Sequence, residues 1–426
     1  MSDARASGRA SPFAPRASGR GLPPGFGVLW TTVAVDLLGF GIVVPLLPLY
    51  AHRLGAGPGS VGLLLAAFSA AQFVSAPLLG RLSDRVGRKP LLILSLVGTA
   101  AASLLTGVAG SLWLLMVARV LDGASGGSVS VAQASATDLV GPEDRMRVFG
   151  LLGAAYGVGF VIGPAIGALA ALGGARVPFF VAAAVAAVNA VVATKRLPET
   201  RPARGIANPS AAGERAGASM RSVLGRIGVP GTVTVLLIAS FSAFEATFAL
   251  FGQRRLGFGL ASIGVVFALI GVVAALVQGA VARPLAARVG AAPCLRMGLV
   301  AEALGLGLLP TVHARADLVV PLLLLTVGQS LSTPALTTLV VARVADNDRG
   351  AALGAQQGLS SLARIVGPAA GGLSFALLGV AAPFLGGGLV VVAALVFSLV
   401  MRGGMASSPG MLVESGTHRL PLGNNG

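Results

Sequence analysis

The chain has little of what most catalytic and metal-binding proteins use. Of its 426 residues one is cysteine, Cys294, and three are histidines, His52, His313 and His418. A disulfide framework, a cysteine zinc site and a histidine-ligated haem are therefore excluded as organising features. Acidic residues number 15 and aromatics make up 5% of the chain. Charged residues of both signs amount to 11%, against about 25% in soluble domains. What is plentiful is apolar: 55% of the residues are hydrophobic, Gly occurs 61 times and the mean hydropathy is +0.86. That balance excludes an ordinary soluble enzyme. It points to helices in lipid, where Gly and Pro are better tolerated than in water.

A helix needs about 20 apolar residues to cross the hydrocarbon, and twelve such runs follow one another. They lie at 26–50, 61–80, 91–109, 112–137, 148–171, 177–194, 231–252, 260–282, 293–311, 318–342, 350–375 and 382–401. The formal charge of +16 follows this topology. Both tails and the even-numbered loops hold 24 Arg and Lys residues, the odd-numbered loops hold 5, and Arg119 and Arg364 lie within spans. The positive-inside rule then predicts cytoplasmic termini and a multi-pass protein of the cell's inner or plasma membrane. No basic patch of the kind that binds nucleic acid is implied.

The expected organisation is a cytoplasmic Arg/Ser-rich tail at 1–25, a six-helix bundle at 26–194, a cytoplasmic linker at 195–230, a second six-helix bundle at 231–401 and a cytoplasmic tail at 402–426. The first segment lacks the short apolar core of a cleaved signal peptide. The halves repeat each other. Leu82-Ser83-Asp84-Arg85-Val86-Gly87 recurs as Leu285-Ala286-Ala287-Arg288-Val289-Gly290, and Gly163-Pro164 with Gly167 recurs 204 residues on as Gly367-Pro368 with Gly371. Parallel repeats related by an axis along the membrane normal are the architecture of alternating-access carriers.

Four groups of residues stand out. In the loop after span 2, Gly80 and Gly87 allow a tight turn and close helix contact. Between them Asp84 can accept hydrogen bonds from a neighbouring helix N-terminus and from Arg85, and Ser83, Arg88 and Lys89 complete the string. In span 5, Gly159, Gly163 and Gly167 share one helical stripe beside Pro164, following Gly150; by spacing alone this says close packing. Charges within spans are costly and mark function. Asp36 lies about 15 Å into span 1, Arg119 about 11 Å into span 4 with Asp122 one turn on, and Glu302 about 13 Å into span 9. Asp36, Arg119 and Asp122 together would carry one net negative charge able to take up a proton, or would form a permanent ion cluster locking two helices. Finally, Phe241, Phe244, Phe248 and Phe251 follow helical spacing around Glu245 in span 7. They are expected either to wall an apolar pocket with an acid for a cationic or zwitterionic substrate, or to pack as a ring stripe. Arg364 and Gln329 are further candidates for holding a substrate.

The string Gly80-Arg81-Leu82-Ser83-Asp84-Arg85-Val86-Gly87-Arg88-Lys89-Pro90 resembles the loop motif of the major facilitator superfamily. Gly150, Gly159, Gly163, Pro164 and Gly167 resemble its antiporter motif, departing at the final position, Ala168. Asp36-x-x-Gly39-x-Gly41-x-x-x-Pro45-x-x-Pro48 and Arg119-x-x-x-Gly123-x-x-Gly126 are similar to the first- and fourth-helix signatures of its twelve-span drug:proton antiporters. From about 30 to 400 the chain resembles tetracycline-resistance exporters and their multidrug relatives. The resemblance implies an all-α integral membrane protein with twelve transmembrane helices in two pseudo-symmetric six-helix bundles. It also implies proton coupling through Asp36, Arg119 and Glu302, which Asp122 joins by its place one turn from Arg119, and gating through Gly80, Ser83, Asp84, Arg85, Gly87, Arg88 and Lys89. Glu302 replaces the family's usual Asp, and Glu245 is an extra acid, so tetracycline is not singled out as cargo. The expected activity is proton-driven export of a hydrophobic small molecule by a monomer without cofactor or metal, and not catalysis. A sugar or metabolite carrier of the same fold, and a non-transporting sensor or scaffold, stand as alternatives.

Overall fold

The computed structural model describes residues 25–140, 145–200, 220–345 and 348–400. The tails and the middle of the linker expected at 195–230 lie outside these residues. The described residues form helices and turns with no strand, and twelve helical stretches are long and apolar enough to cross a membrane. In chain order the first half comprises α1 (Phe26–Val43), α2 (Leu47–Arg53), α3 (Pro58–Val86), α4 (Arg88–Val108), α5 (Leu112–Ser125), α6 (Ser128–Asp138), α7 (Arg145–Ala171) and α8 (Val177–Arg196). After a seven-residue helix, α9 (Met220–Arg226), the second half comprises α10 (Gly228–Leu256), α11 (Leu260–Leu276), α12 (Arg283–Val289), α13 (Ala291–Leu308), α14 (Val319–Val341), α15 (Arg349–Leu378) and α16 (Ala382–Val400).

Three predicted spans are interrupted, each for a backbone reason. The first, expected as one helix to residue 50, ends at Val43 because Pro45 has no N–H to continue the ladder; α2 restarts at Leu47 with Pro48 in its first turn. The fourth breaks at Gly126-Gly127, and its loosened carbonyls are taken up by α3, through Gln72 Nε2 to the Gly126 oxygen at 3.0 Å and Ser75 Oγ to the Gly123 oxygen at 3.2 Å. The eighth widens into a π-helical turn over Val277–Ala282 just before Pro284.

The sequence repeat is also a packing repeat. In the first half, α7 presents Gly159 and Gly163 to α1, where a methyl added at Gly163 would lie 2.7 Å from the Gly41 Cα. In the second, α15 presents Gly371 to Ala243 of α10, where the same addition would lie 3.0 Å from the Ala243 Cα, and Gly367 to Ala239. Small residues let the backbones approach, and dispersion between them holds the pair where lipid supplies no hydrophobic drive.

The halves meet along two other helix pairs. Beside the stripe that meets α1, the Phe160 backbone and Ala168 of α7 touch Gly271 and Gly264 of α11. Gly62 of α3 meets Pro368 and Gly372 of α15. All these contacts lie toward the ends of the helices remote from the Gly80–Pro90 loop. At the loop end, the Arg88 ion pairs stay within the first half and the Arg226–Asp348 pair, 3.0 Å, stays within the second.

Candidate functional site

Helix α1 carries Asp36 into the first half, where its carboxylate accepts a 2.7 Å hydrogen bond from Ser128 Oγ. Ser128 stands there because the Gly126-Gly127 break restarts the helix at that residue. Asp122 is within electrostatic reach of Asp36. Arg119, 1% exposed, pairs with Asp122 at 3.0 Å and donates from Nη2 to Thr106 Oγ1 of α4 at 3.1 Å, while its Nε has no partner among the described residues. Asp36, Arg119 and Asp122 are thus brought together, but Arg119 neutralises Asp122 and Asp36 is left to a hydroxyl. Ser128 and Thr106 were missed by sequence reasoning; the Gly-Gly break and the polar Ser128 beyond it were the available signal.

Glu302 lies apart from this group. It is fully buried where α13 packs on Gly328 of α14, and neither carboxylate oxygen has a hydrogen-bond partner among the described residues. Ser332 Oγ, against Gly298 one turn earlier on α13, is likewise unpartnered, as is Gln329 Oε1.

The stripe around Glu245 divides. Phe248 is 0% exposed and, with Phe244 and Phe251, packs on Phe267 and Phe384 with ring centroids 5.0–6.5 Å apart. Phe248 is therefore core of the second half and does not wall a pocket; the apolar residues of α11 and α16 supply its partners. Phe241, Glu245 and Arg364 are only partly buried. Among the described residues no ion pair joins Arg364 and Glu245.

In the loop, Ser83 is buried, donating to the Gly80 oxygen at 2.7 Å and accepting from Arg88 Nη1 at 2.6 Å. Asp84, expected to cap a neighbouring helix, is largely exposed and pairs with Arg88 at 2.6 Å; Arg88 Nε also reaches Asp138 at 2.9 Å. The helix N-terminus beside the loop is capped by Glu199 instead, which accepts from the amides of Arg88 at 2.8 Å and Lys89 at 3.2 Å. Gly87, at φ 123°, makes the turn between α3 and α4. Arg85 and Lys89 flank it on the exposed and half-buried sides. Glu199 and Asp138 were not singled out by the sequence; the Pro198-Glu199 step after span 6 was the signal for the former. Gly150 is exposed with nothing within 4 Å of an added methyl, whereas Gly159, Gly163 and Gly167 press on α1, with Pro164 beside Gly41.

Two helix bundles with matching internal packing, joined along glycine-lined seams and carrying buried charges between membrane faces, define a multi-pass membrane transporter. The comparisons with known proteins give its family. The profile of the Major Facilitator Superfamily matches residues 29–286 and 280–410, and the chain belongs to that superfamily. It is 32% identical over 346 residues to tetracycline resistance protein, class C, of Escherichia coli, covering 80% of this chain and 87% of that one. It is 28% identical over 354 residues to multidrug resistance protein 1 of Bacillus subtilis (strain 168), covering 82% and 89%. Among solved structures, the human organic anion transporter MFSD10 (TETRAN) superposes with a TM-score of 0.66 at 26% identity, over 88% of this chain and 100% of the other. These relatives are transporters, and the chain is a transporter of small molecules rather than an enzyme.

Proposed function

We propose that the protein is a proton-coupled antiporter that exports hydrophobic small molecules, antibiotics among them, by alternating access. The observation that carries this reading is the setting of Asp36. It is a carboxylate inside the first half, held by Ser128 and near an Asp122 already neutralised by Arg119. Among the described residues a carboxylate so placed has no fixed counter-charge of its own, so a proton is the natural one. The proton comes from the gradient, and no cofactor is needed.

The seam contacts support the cycle. The glycine contacts between the halves lie toward the ends remote from the Gly80–Pro90 loop, and the cycle takes the loop side as the side of substrate entry. By the charge bias of the loops this side, with both termini, is cytoplasmic. Substrate enters there and displaces the proton; rocking of the halves about the Gly62–Gly372 and Gly271–Phe160 contacts carries it outward. Tetracycline and multidrug resistance relatives favour a drug as cargo. A single chain supplies both halves, so a monomer suffices.

The test is uptake into proteoliposomes carrying the purified protein and an imposed proton gradient, acid inside. Accumulation of tetracycline or a lipophilic dye cation above that of protein-free vesicles, abolished by a protonophore, supports the reading. Accumulation that survives the protonophore contradicts proton coupling.

A further inference from the structure

Three phenylalanines from three helices of the first half meet one turn beyond Asp36. The Phe40 ring of α1 lies 5.5 Å from that of Phe68 on α3 and 6.1 Å from that of Phe160 on α7, centroid to centroid, the first pair tilted by 41° and the second close to edge-on at 73°. All three are only partly buried. The rings that pack as core in the second half, Phe244, Phe248, Phe251, Phe267 and Phe384, are no more than 8% exposed.

The open sides of these rings are turned from lipid. On α7, exposed Leu169 marks the lipid side, and Phe160 stands about 180° round the helix from it, between the stripe that meets α1 and the stripe that meets Gly264 and Gly271 of the other half. On α3, exposed Leu63 and Val74 mark that side, and Phe68 stands about 140° and about 120° from them. On α1, Phe40 follows Asp36 by one turn on the same face, with Cβ atoms about 5–6 Å apart. The backbones beneath two of the rings are pinned, the Phe68 carbonyl against Gly123 of α5 and the Phe160 carbonyl against Gly271 of α11. Rings held in place before a ligand arrives lower the entropy lost on binding. Their faces stack on a flat ring and attract a cation, and Asp36, held by Ser128, supplies the matching negative charge. A wall of leucines accepts any apolar body, whereas three rings beside a carboxylate favour a flat aromatic one that carries a positive charge.

We propose that Phe40, Phe68 and Phe160 are the specificity-determining residues of the transport site. The flat ring system of the substrate lies against them, and its cationic nitrogen sits on Asp36. This rests on the exporter reading above and adds to it the residues that select the cargo.

The probes are ethidium, a flat fluorescent cation, and tetrabutylammonium, an apolar cation without a ring. Binding of ethidium to the purified full chain is read from its fluorescence anisotropy, and binding of tetrabutylammonium from the ethidium it displaces. Phe40→Leu, Phe68→Leu and Phe160→Leu keep apolar bulk and lose the ring. Each is expected to weaken ethidium about tenfold, the scale of one lost stacking and cation contact, while tetrabutylammonium changes little. Phe160→Tyr, which keeps the ring, retains ethidium binding, and Asp36→Asn weakens both cations. Thermal melts establish that each variant is folded. Independently of any variant, ethidium monoazide photolysed on the wild-type chain should label α1, α3 or α7. Ethidium binding that survives all three leucine variants, equal losses for the two cations, no ethidium binding by wild type, or label confined to other helices overturns the proposal. Tetracycline-dependent proton release from the reconstituted protein separates the two claims. Release without ring-dependent ethidium binding sinks this assignment and leaves the exporter standing, while ring-dependent binding without release by any substrate does the reverse.

Discussion

The guanidinium of Arg119 stands 3.0 Å from the carboxylate of Asp122 one turn along α5, with 1% and 10% of the two side chains exposed. Among the described residues each is the other's only ion-pair partner, and Arg119 also donates to Thr106 of α4. The ion pair lies within α5, the Arg119–Thr106 hydrogen bond ties α5 to α4, and among the described residues Asp36 is left with Ser128 rather than a cation.

Removing one partner should be worse than removing both. Arg119→Leu strands Asp122 and is expected to cost about 3–5 kcal/mol, whereas the double change Arg119→Leu with Asp122→Leu recovers most of that loss. Thermal unfolding in detergent measures the difference. Similar melts for the single and double variants would mean the charges are not coupled as the 3.0 Å contact requires.

The two phenylalanines that the helical spacing groups together should behave differently. Phe248→Ala opens a cavity among Phe244, Phe251 and Phe267 and is expected to cost about 3–5 kcal/mol with little change in apparent substrate affinity. Phe241→Ala should weaken substrate affinity with less effect on the melt. Concentration dependence of transport beside melting temperature distinguishes them.

Within the glycine motif of α7, position matters more than residue type. Gly163→Ala forces a methyl to within 2.7 Å of the Gly41 Cα and should destabilise by about 1–3 kcal/mol. Gly150→Ala meets nothing and should be neutral or stabilising by up to about 1 kcal/mol, as alanine is in an exposed helix. Melts of the two variants in the same detergent decide it.

Glu199 ties the start of the linker to the loop after α3. Glu199→Ala leaves the Arg88 and Lys89 amides without their acceptor, at a cost of about 1 kcal/mol. Hydrogen–deuterium exchange should rise at the first turn of α4. Unchanged protection there would show that the carboxylate is not the cap.

Much of the fold was legible because its causes are local or periodic. Apolar runs long enough to cross lipid fixed the number of spans, and the 204-residue offset of Gly163-Pro164 and Gly367-Pro368 reappears as matching helix contacts. What the sequence did not disclose depends on partners distant in the chain. Phe244, Phe248 and Phe251 read as one stripe with Phe241, and only the arrival of Phe267 and Phe384 separates core rings from the partly open one. Asp36 was readable as a buried acid, but its ligand, Ser128, lies 92 residues away. Asp84 fitted a helix-capping role by its place in the loop motif, yet the amides it was expected to hold are taken by Glu199, 111 residues from Arg88.

The central claim is that Asp36 exchanges a proton for substrate, and proton release on substrate binding tests it most directly. In inside-out vesicles energised with a proton gradient, adding tetracyclines, fluoroquinolones or dye cations to wild type should discharge protons in a substrate-dependent way. Asp36→Asn, folded and inserted to the same level, should release none, and Ser128→Ala should release protons with altered substrate dependence. Equal release from wild type and Asp36→Asn, or none from wild type with any of these compounds, would contradict the account.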